Sequence, residues 1–355
     1  MNVLVTGGAG YLGSVLVPKL LMRGHRVRVV DIGYFGMGHL RTMRPGVDII
    51  RADILDVLAS QVALEELLRG IDVLVHLAAI SNDPSAELNL QLTERVNFEA
   101  TRDLAIACKA RGIRFVFSSS CSVYGEVTGE AGEEDRVNPL TAYARSKAGS
   151  ERFLLSLADE NWRPAILRNG TLFGFSPRMR FDLVINSFSY CATLYNEVHV
   201  FGDGRQWRPF LHVADCARAF VYFVEHPAHK HLLCNVAHEN FRVMDLIAIF
   251  QALNPSVKPV YVPVDDPDTR NYHVSVVRMQ EEGIRPSVRV TPGAEEIIES
   301  IVTGRIVDPR AAYHRNTKWL KELTEIGHRE QRSLAGTLDR IWLAEGARPL
   351  VTGRF

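Results

Sequence analysis

Short apolar runs alternate with amphipathic stretches along the first half of the chain, and this alternation predicts strands and helices in turn. The apolar runs favour buried strands at Asn2–Thr6, Arg26–Asp31, Val47–Arg51, Val73–Leu77, Arg114–Ser118 and Ala165–Arg168. Between them, apolar residues at helical spacing predict helices at Leu12–Arg23, Val62–Leu68, Thr93–Arg111 and Tyr143–Glu160. Strands that alternate with helices across short turns pair in parallel with right-handed crossovers. We therefore expect an α/β fold with a doubly wound parallel sheet, whose ligands bind at the carboxyl ends of its strands.

The pattern changes after Arg168. Residues 173–196 favour a loop and then a helix, and residues 198–220 favour a short strand, a glycine turn, a second strand and a helix. From about residue 240 onward come short helices and proline-rich connections, and the last 50 residues are basic with few strand signals. A smaller, irregular α/β lobe is therefore predicted beside the sheet. The predicted division gives residues 1–170 and a returning segment at about 210–238 to the sheet domain, and residues 171–209 and 239–355 to the lobe and C-terminal tail.

Composition and charge narrow the class of protein. The chain has 355 residues, and its 41 Lys and Arg balance its 41 Asp and Glu, which gives no support for a nucleic-acid partner. Its apolar runs stay well short of the roughly 20 residues that span a bilayer, so no membrane partner is expected. A strand begins at the N-terminus with no basic segment before it, so we expect no secretory signal. Five widely spaced cysteines without a CxxC pair favour a reducing, cytoplasmic location; they are Cys108, Cys121, Cys191, Cys216 and Cys234.

A glycine-rich turn joins the first predicted strand to the first helix. Gly7, Gly10 and Gly13 stand at GxxGxxG spacing, which lets the backbone approach a pyrophosphate that faces the helix N-terminus. Asp31 closes the second strand, where a carboxylate accepts hydrogen bonds from a ribose diol and repels a 2′-phosphate. This context predicts a Rossmann dinucleotide site for NAD. Asp53, after the third strand, either meets the adenine or caps a helix.

A tyrosine, a lysine and a serine form the candidate catalytic group. Tyr143 and Lys147 are four residues apart and share one helix face. An ammonium near a phenol lowers its pKa from about 10 and makes it a better base for a sugar hydroxyl. Ser120 ends a core strand at the ligand-binding edge, where its hydroxyl can bind the reacting oxygen. The alternative is that Tyr143 and Lys147 lie on a solvated helix face and that the serines only satisfy backbone hydrogen-bonding groups at the end of the strand.

As a set, these motifs resemble the extended short-chain dehydrogenases/reductases, and within them the nucleotide-sugar epimerase/dehydratase group that includes UDP-galactose 4-epimerase. They stand in the family's order and cover residues 1 to about 290. The matching segments are TGGAGYLG (6–13), Asp31, HLAA (76–79), Asn97, SSSCSVYG (118–125), YARSK (143–147), LRNGTLFG (167–174) and GDGRQWRPFLHVADCARA (202–219).

The resemblance implies roles for individual residues. Ser120, Tyr143 and Lys147 would form the catalytic triad, with NAD as cofactor. The helices at 93–111 and 142–160 would pair two subunits into a homodimer. The implied cofactor-binding residues are Gly7, Gly10, Tyr11, Leu12, Gly13, Asp31, Asp53, Ile54, Leu77, Ala78, Ala79, Asn97, Tyr143 and Lys147. Asn97 is also expected to begin or support a helix behind the site.

A nucleotide-diphosphate sugar is the implied substrate, and arginine suits its diphosphate because the guanidinium fork binds phosphate oxygens in pairs. Arg208 and Arg270 match the family's two phosphate-contacting arginines. Arg178 and Arg180 are further candidates, for which a solvated surface position is the alternative. Thr171 stands where the family commonly has a substrate-binding asparagine.

Two residues after the catalytic serine bear on the reaction. Relatives that dehydrate a 4-keto sugar carry an Asp-Glu pair at Cys121 and Ser122, and relatives that decarboxylate a uronic sugar carry a Glu at Ser122. This chain has neither, so hydride transfer at one carbinol remains, and the leading hypothesis is an NAD-dependent 4-epimerase. A dehydrogenase or 4-ketoreductase on the same substrate class and a non-catalytic NAD(H)-binding relative are the alternatives.

A metal site is the remaining possibility. His226, His229 and His231 lie close together before Cys234, but their spacing fits no standard zinc pattern, so we expect no metal. Cys121 is expected to be a packed thiol.

Overall fold

The structure of the protein, a computed structural model, describes residues 1–41, 43, 46–263, 270–330 and 336–338. Its strands are β1 Asn2–Thr6, β2 Arg26–Asp31, β3 Val47–Arg51, β4 Val73–His76, β5 Arg114–Ser120, β6 Glu126–Ala131, β7 Ala165–Asn169, β8 Thr171–Phe173, β9 Glu197–Phe201, β10 Trp207–His212, β11 Leu233–Val236, β12 Glu239–Arg242, β13 Lys258–Val262 and β14 Asn271–Val274.

The helices are α1 Gly13–Met22, α2 Gly38–Arg41, α3 Ile54–Ala59, α4 Gln61–Leu68, α5 Asp83–Ala86, α6 Leu90–Glu94, α7 Ala100–Ala110, α8 Ala142–Leu157, α9 Val184–Tyr195, α10 Val213–Glu225, α11 Leu246–Leu253, α12 Val277–Glu281, α13 Val290–Val302 and α14 Asn316–Glu330. A π-helical turn lies at Arg95–Glu99, and 3₁₀ turns lie at Cys121–Tyr124, Val243–Asp245 and Ala312–His314. Among these helices, none combines the length and the apolar character that crossing a bilayer requires.

Seven parallel strands of the described chain form the central sheet, in the order β11-β7-β5-β4-β1-β2-β3. The chain begins at β1 in the middle, runs outward to β3 and returns to β4 on the other side of β1. This reversal separates the loops after β1 and β4 and opens a crevice at the carboxyl edge of the sheet. The predicted doubly wound fold is confirmed, and β1, β2 and β3 begin and end at the predicted residues.

Both faces of the sheet are covered, as a parallel sheet requires. In β1, Val3 and Val5 belong to the apolar core that includes α1 and α10, while Leu4 belongs to the core on the opposite face with α4 and α7. Successive side chains of a strand point to opposite faces, so an uninterrupted apolar run supplies both cores. This explains why the sequence shows apolar strands without polar alternation.

The second half of the chain supplies one edge of the sheet and several smaller sheets. β11 pairs with β7 within the segment that was predicted to return to the sheet domain. β8, β10 and β12 form a three-stranded sheet, and β9–β13 and β6–β14 are two-stranded. The predicted strand, glycine turn, strand and helix at 198–220 correspond to β9, β10 and α10.

Two predictions from the pattern are corrected by the structure. The proline-rich stretch after residue 254 contains a strand, β13, and not only connections. Pro259 is compatible with this strand because β13 has a single described neighbour, β9, and a strand at a sheet edge tolerates proline. The helix predicted at Thr93–Arg111 is interrupted by the π-helical turn at Arg95–Glu99. Asn97 lies in this turn with its side chain fully buried, and a local widening of this kind often marks a functional position.

A buried ion pair links the sheet to α8. The Arg168 guanidinium in β7 donates to both carboxylate oxygens of Glu151, with Nη2–Oε2 at 2.7 Å, and to the Tyr124 hydroxyl at 2.8 Å. Ser119 also donates to Glu151. Arg168 and Glu151 are 4% and 2% exposed, so their charges are satisfied almost entirely by each other and by these hydroxyls.

The variant Arg168→Met should be strongly destabilised, because it leaves the Glu151 carboxylate buried without its cation. The free energy of unfolding should fall by about 3–5 kcal/mol, measured by urea unfolding at neutral pH. The double variant Arg168→Met/Glu151→Leu should be less destabilised than the single one. A single variant as stable as the wild type would contradict the account.

Candidate active site

The crevice at the carboxyl edge of the sheet is a cavity of about 1110 Å³. Its walls come from the loops after β1, β2, β4 and β5, from α8 and from the second half of the chain. The structure brings almost all of the predicted site residues to this cavity. Those that line it are Gly7, Gly10, Tyr11, Leu12, Gly13, Asp31, Asp53, Ile54, Leu77, Ala78, Ala79, Ser120, Tyr143, Lys147, Thr171, Arg178, Arg180, Arg208 and Arg270.

The glycine turn is packed too closely for a side chain at Gly7 or at Gly13. Gly7 has a φ of +71°, and a Cβ placed on it would lie 2.7 Å from the Ala78 nitrogen at the end of β4. A Cβ on Gly13 would lie 2.6 Å from the carbonyl oxygens of Gly7 and Gly8. Glycine is therefore required for α1 to start directly against the sheet, with its first amides at the cavity. This cradle fits the diphosphate of a dinucleotide.

Asp31 is held at the cavity by backbone amides. Its carboxylate accepts hydrogen bonds from Ala9 N at 3.0 Å and Gly33 N at 2.8 Å. Burial raises the pKa of Asp31, and the two amides act in the opposite direction. A carboxylate fixed here suits the ribose diol of NAD and disfavours a 2′-phosphate.

Asp53 lines the cavity and also caps α3, where it accepts a hydrogen bond from Leu55 N at 2.9 Å. Asp53 is therefore a helix cap, which was one of the two alternatives, and it also forms part of the cavity wall.

Asn97, predicted among the cofactor-binding residues and as a support behind the site, lies behind the cavity wall in the structure. Its side chain accepts from Ile80 N at 2.8 Å and donates to Ile80 O at 3.1 Å and to Ser146 Oγ at 3.2 Å. Asn97 thus joins the loop after β4 to α8. It supports the wall of the cavity from behind. All of the predicted site residues are described, and Asn97 is the one among them that does not line the cavity.

Ser120, Tyr143 and Lys147 meet at one wall of the cavity. The Ser120 side chain is hydrogen-bonded to the Tyr143 hydroxyl and accepts from Ser122 N at 3.1 Å. Lys147 Nζ lies 5.8 Å from the centroid of the Tyr143 ring and donates to Ser118 O at 2.8 Å. The arrangement places a phenol, a hydroxyl and an amine where a sugar carbinol can reach them.

The expected direction of the Tyr143 pKa is corrected by the structure. Burial raises this pKa well above its usual value, the nearby Asp83 carboxylate raises it further, and the hydrogen bond with Ser120 acts in the opposite direction. The Lys147 amine is directed at the Ser118 carbonyl, and burial lowers its pKa to about 7. Desolvation is therefore the largest influence on the pKa of each of these two groups.

Arg208 and Arg270 lie together at the cavity. Arg208 Nη1 donates to Trp207 O at 2.8 Å and to the Arg270 carbonyl, and its guanidinium carbon lies 5.4 Å from the centroid of the Tyr272 ring. The Arg270 guanidinium forms an ion pair with Asp83. Two cations from distant parts of the chain thus converge, as a diphosphate site requires.

Arg178 and Arg180 are buried, so the solvated-surface alternative is wrong for both. Arg180 pairs with Asp182 at 2.9 Å and contacts Ser81 Oγ at 3.4 Å. The Arg178 guanidinium carbon lies 3.7 Å from the centroid of the Phe35 ring, in the loop that follows β2.

The two residues after Ser120 face different ways. Cys121 Sγ donates to Arg168 O at 3.2 Å, and burial raises the pKa of this thiol, which agrees with a packed cysteine. Ser122 lines the cavity, and its buried hydroxyl has no hydrogen-bond partner among the described residues. A polar substrate atom would satisfy it.

Sequence reasoning missed several residues of the site. Asp83 comes after β4 and Asp182 after β8, in segments without a recognisable motif. Asn316 lies in the last 50 residues, which carried few sequence signals. Each is recognisable only through contacts over long sequence separations.

The histidines of segment 226–231 have other partners. His226 stacks on Tyr222 with ring centroids 4.0 Å apart, and His231 Nε2 lies 2.6 Å from a Glu281 carboxylate oxygen. Over the described ranges, no group of three or more His, Cys, Asp or Glu side chains is placed to hold a metal ion.

A sequence model of the NAD dependent epimerase/dehydratase family matches residues 3–237 of the chain. The UDP-N-acetyl-alpha-D-glucosaminuronate decarboxylase of Bacillus cytotoxicus is similar at 31% identity over 275 residues, which cover 74% of this chain and 83% of that protein.

Solved structures agree with this assignment. The UDP-glucuronic acid 4-epimerase from Bacillus cereus, in complex with UDP-glucuronic acid and NAD, superimposes with a TM-score of 0.74 at 27% identity and covers 85% of this chain and 99% of its own. The UDP-glucose 4-epimerase from Thermotoga maritima, with UDP-glucose, gives a TM-score of 0.76 at 25% identity and covers 86% and 100%. The resemblance drawn from the motifs is confirmed, and so is NAD as the cofactor of the family.

The lowered pKa of Lys147 predicts a pH dependence of stability. The pKa of lysine in the unfolded state is about 10.4. Between about pH 7 and 9.5 the folded state therefore holds fewer protons on Lys147 than the unfolded state does. As a result, this group makes the free energy of unfolding rise with pH, by up to about 1.4 kcal/mol per pH unit. In urea unfolding of the nucleotide-free protein, Lys147→Met should be more stable than the wild type near pH 7, and this difference in the free energy of unfolding should shrink toward pH 9.5. A pH-independent difference would contradict the account.

Proposed function

This chain belongs to the NAD-dependent epimerase/dehydratase family, and from that premise we propose that it is a UDP-sugar 4-epimerase. Family membership makes it an NAD-dependent enzyme of nucleotide-sugar chemistry. The UDP moiety is proposed because the decarboxylase and the two epimerases compared above are named for UDP-sugars.

In the proposed reaction, Tyr143 takes the proton of the sugar 4-hydroxyl while Ser120 holds its oxygen. Oxidised NAD, when bound, supplies the hydride acceptor and a positively charged ring. Burial disfavours the ionised phenol, so positive charge near Tyr143 is needed, and Lys147 lies 5.8 Å from the ring centroid. The 4-keto sugar would then turn within the cavity, the same hydride would return to its other face, and Tyr143 would give the proton back to the 4-oxygen.

The observation that carries the proposal is the chemistry beside Ser120. Cys121 is turned into the core, and Ser122 offers a neutral hydroxyl. The Asp83 carboxylate comes from another loop, but it is held by Arg270 and accepts a hydrogen bond from Thr141. Among the described residues next to Ser120, neither an acid–base pair for elimination of water nor an unpaired carboxylate for decarboxylation is therefore offered. Reversible hydride transfer needs only Ser120, Tyr143, Lys147 and bound NAD.

Incubation of the purified enzyme with NAD and UDP-glucose, UDP-glucuronic acid or UDP-N-acetylglucosamine should yield the 4-epimer of one of them, resolved by chromatography and NMR. The same equilibrium mixture should form from either epimer, without net NADH. Accumulation of NADH with a keto product would make it a dehydrogenase. Release of carbon dioxide or of water would make it a decarboxylase or a dehydratase.

Tyr143→Phe should lower turnover by about 10²–10⁴-fold, because it removes the proton acceptor. NAD binding, measured by fluorescence titration, should be unchanged, because the ring remains. Tyr261→Phe, at an exposed position of β13, is the matched control and should be as active as the wild type. Binding of NAD without turnover in the wild-type protein, on every UDP-sugar tried, would favour the non-catalytic alternative.

A homodimer through the helices at 93–111 and 142–160 remains part of the proposal. Two apolar side chains on these helices are unusually exposed, Ile106 in α7 at 48% and Leu155 in α8 at 38%. Burying such side chains against a second copy removes apolar surface from water.

The double variant Ile106→Glu/Leu155→Glu should convert a dimer to a monomer in size-exclusion chromatography with light scattering. Met22→Glu, at an exposed site on α1, should leave the dimer intact. A monomeric wild type, or a double variant that still dimerises, would rule out this interface.

A further inference from the structure

Arg178 is a buried cation whose hydrogen-bonding capacity is not used up. It is 5% exposed, and its guanidinium stacks on Phe35. Its Nη2 donates to the Asn316 side chain, and its Nη1 contacts the Met179 carbonyl at 3.5 Å. Its buried Nε has no hydrogen-bond partner among the described residues. Burial and the neighbouring Arg180 lower the pKa of Arg178 to about 9. Keeping this guanidinium charged in a buried position therefore costs free energy, which a bound anion would offset.

The segment that carries Arg178 is fastened to the glycine turn. The Tyr11 hydroxyl donates to Gly174 O at 2.6 Å, the Ser176 hydroxyl donates to Tyr11 O at 2.8 Å, and Arg178 N contacts Ser176 Oγ at 3.3 Å. Arg178 is also close enough to Asp31 to lower its pKa. The backbone that carries Arg178 is therefore attached to the glycine turn, and Arg178 lines the same cavity as Asp31 and the glycines.

We propose that Arg178 binds the diphosphate of NAD, and not that of the substrate, and that the start of α14 positions it. The glycine turn supplies backbone amides for this diphosphate, and Arg178 lines the same cavity on a segment that is hydrogen-bonded to that turn. Arg208 and Arg270 are then left for the substrate diphosphate. One cavity thus holds two diphosphates on separate cations.

The C-terminal segment contacts both loops that enclose this site. Asn316 Nδ2 donates to Ser81 Oγ at 3.2 Å, in the loop after β4, while its Oδ1 accepts from Arg178. Trp319 Nε1 donates to Tyr34 O at 2.6 Å, beside the Phe35 ring on which Arg178 stacks. Residues 316–319 therefore fix the guanidinium and complete the cofactor end of the cavity. This gives a role to the part of the chain that carried the fewest sequence signals.

Binding measurements on Arg178→Gln test the proposal with a readout other than turnover. In isothermal titration calorimetry, the affinity for NAD and for ADP-ribose should fall by about 10- to 100-fold, the loss expected of a charge-assisted hydrogen-bond pair. The affinity of the NAD-loaded enzyme for UDP should be unchanged. Arg208→Gln should show the reverse pattern, and Arg305→Gln, an exposed arginine that stacks on Phe175, should change neither.

Asn316→Ala tests the positioning role. It should weaken ADP-ribose binding in the wild-type background and have no further effect in Arg178→Gln, because both act through one guanidinium. If Arg178→Gln does not fold, as judged by circular dichroism, Arg178→Lys and Asn316→Ala replace it, since Lys keeps the charge but loses the planar fork. Unchanged ADP-ribose affinity, or a loss confined to UDP, would overturn the proposal. A failed epimerase assay would not affect it, because it rests on the family's NAD dependence alone.

Discussion

The close approach of the glycine turn to the end of β4 is the contact on which the site depends. A Cβ on Gly7 would collide with the backbone of Ala78, and a Cβ on Gly13 would collide with the turn itself. With hydrogen in these places, α1 starts directly against the sheet, at the point where the strand order reverses. Asp31, the Ser120 wall and the Arg178 segment then surround one cavity. A side chain at Gly7 or Gly13 would force the turn away from β4 or from its own backbone.

Much of this arrangement could be predicted because its signals are local. Uninterrupted apolar runs gave the strands, since a parallel sheet is buried on both faces. The glycine spacing, Asp31 and the pair Tyr143–Lys147 stand at positions that the fold brings to one edge. The roles of these residues remain predictions that the proposed experiments test.

The remaining features depend on contacts that no short motif encodes. Asn316 reaches Ser81 across 235 residues, and Arg270 reaches Asp83 across 187. The pKa of Tyr143 depends on how deeply the phenol is buried, which the helix spacing of Tyr143 and Lys147 does not contain. Arg178 looked like a surface or substrate residue because the chain segment after β8 has no regular structure until α9. The hydrogen bonds of Gly174 and Ser176 with Tyr11, which attach this segment to the glycine turn, join residues more than 160 positions apart and have no sequence signal.

The central claim is that hydride leaves one carbinol and returns to it within a closed site. It is tested most directly with a UDP-sugar substrate that carries deuterium at C4. The account predicts that the label is found at C4 of the epimer, with none in the solvent and none in free NADH. Loss of deuterium to water, or its accumulation in released NADH, would contradict it.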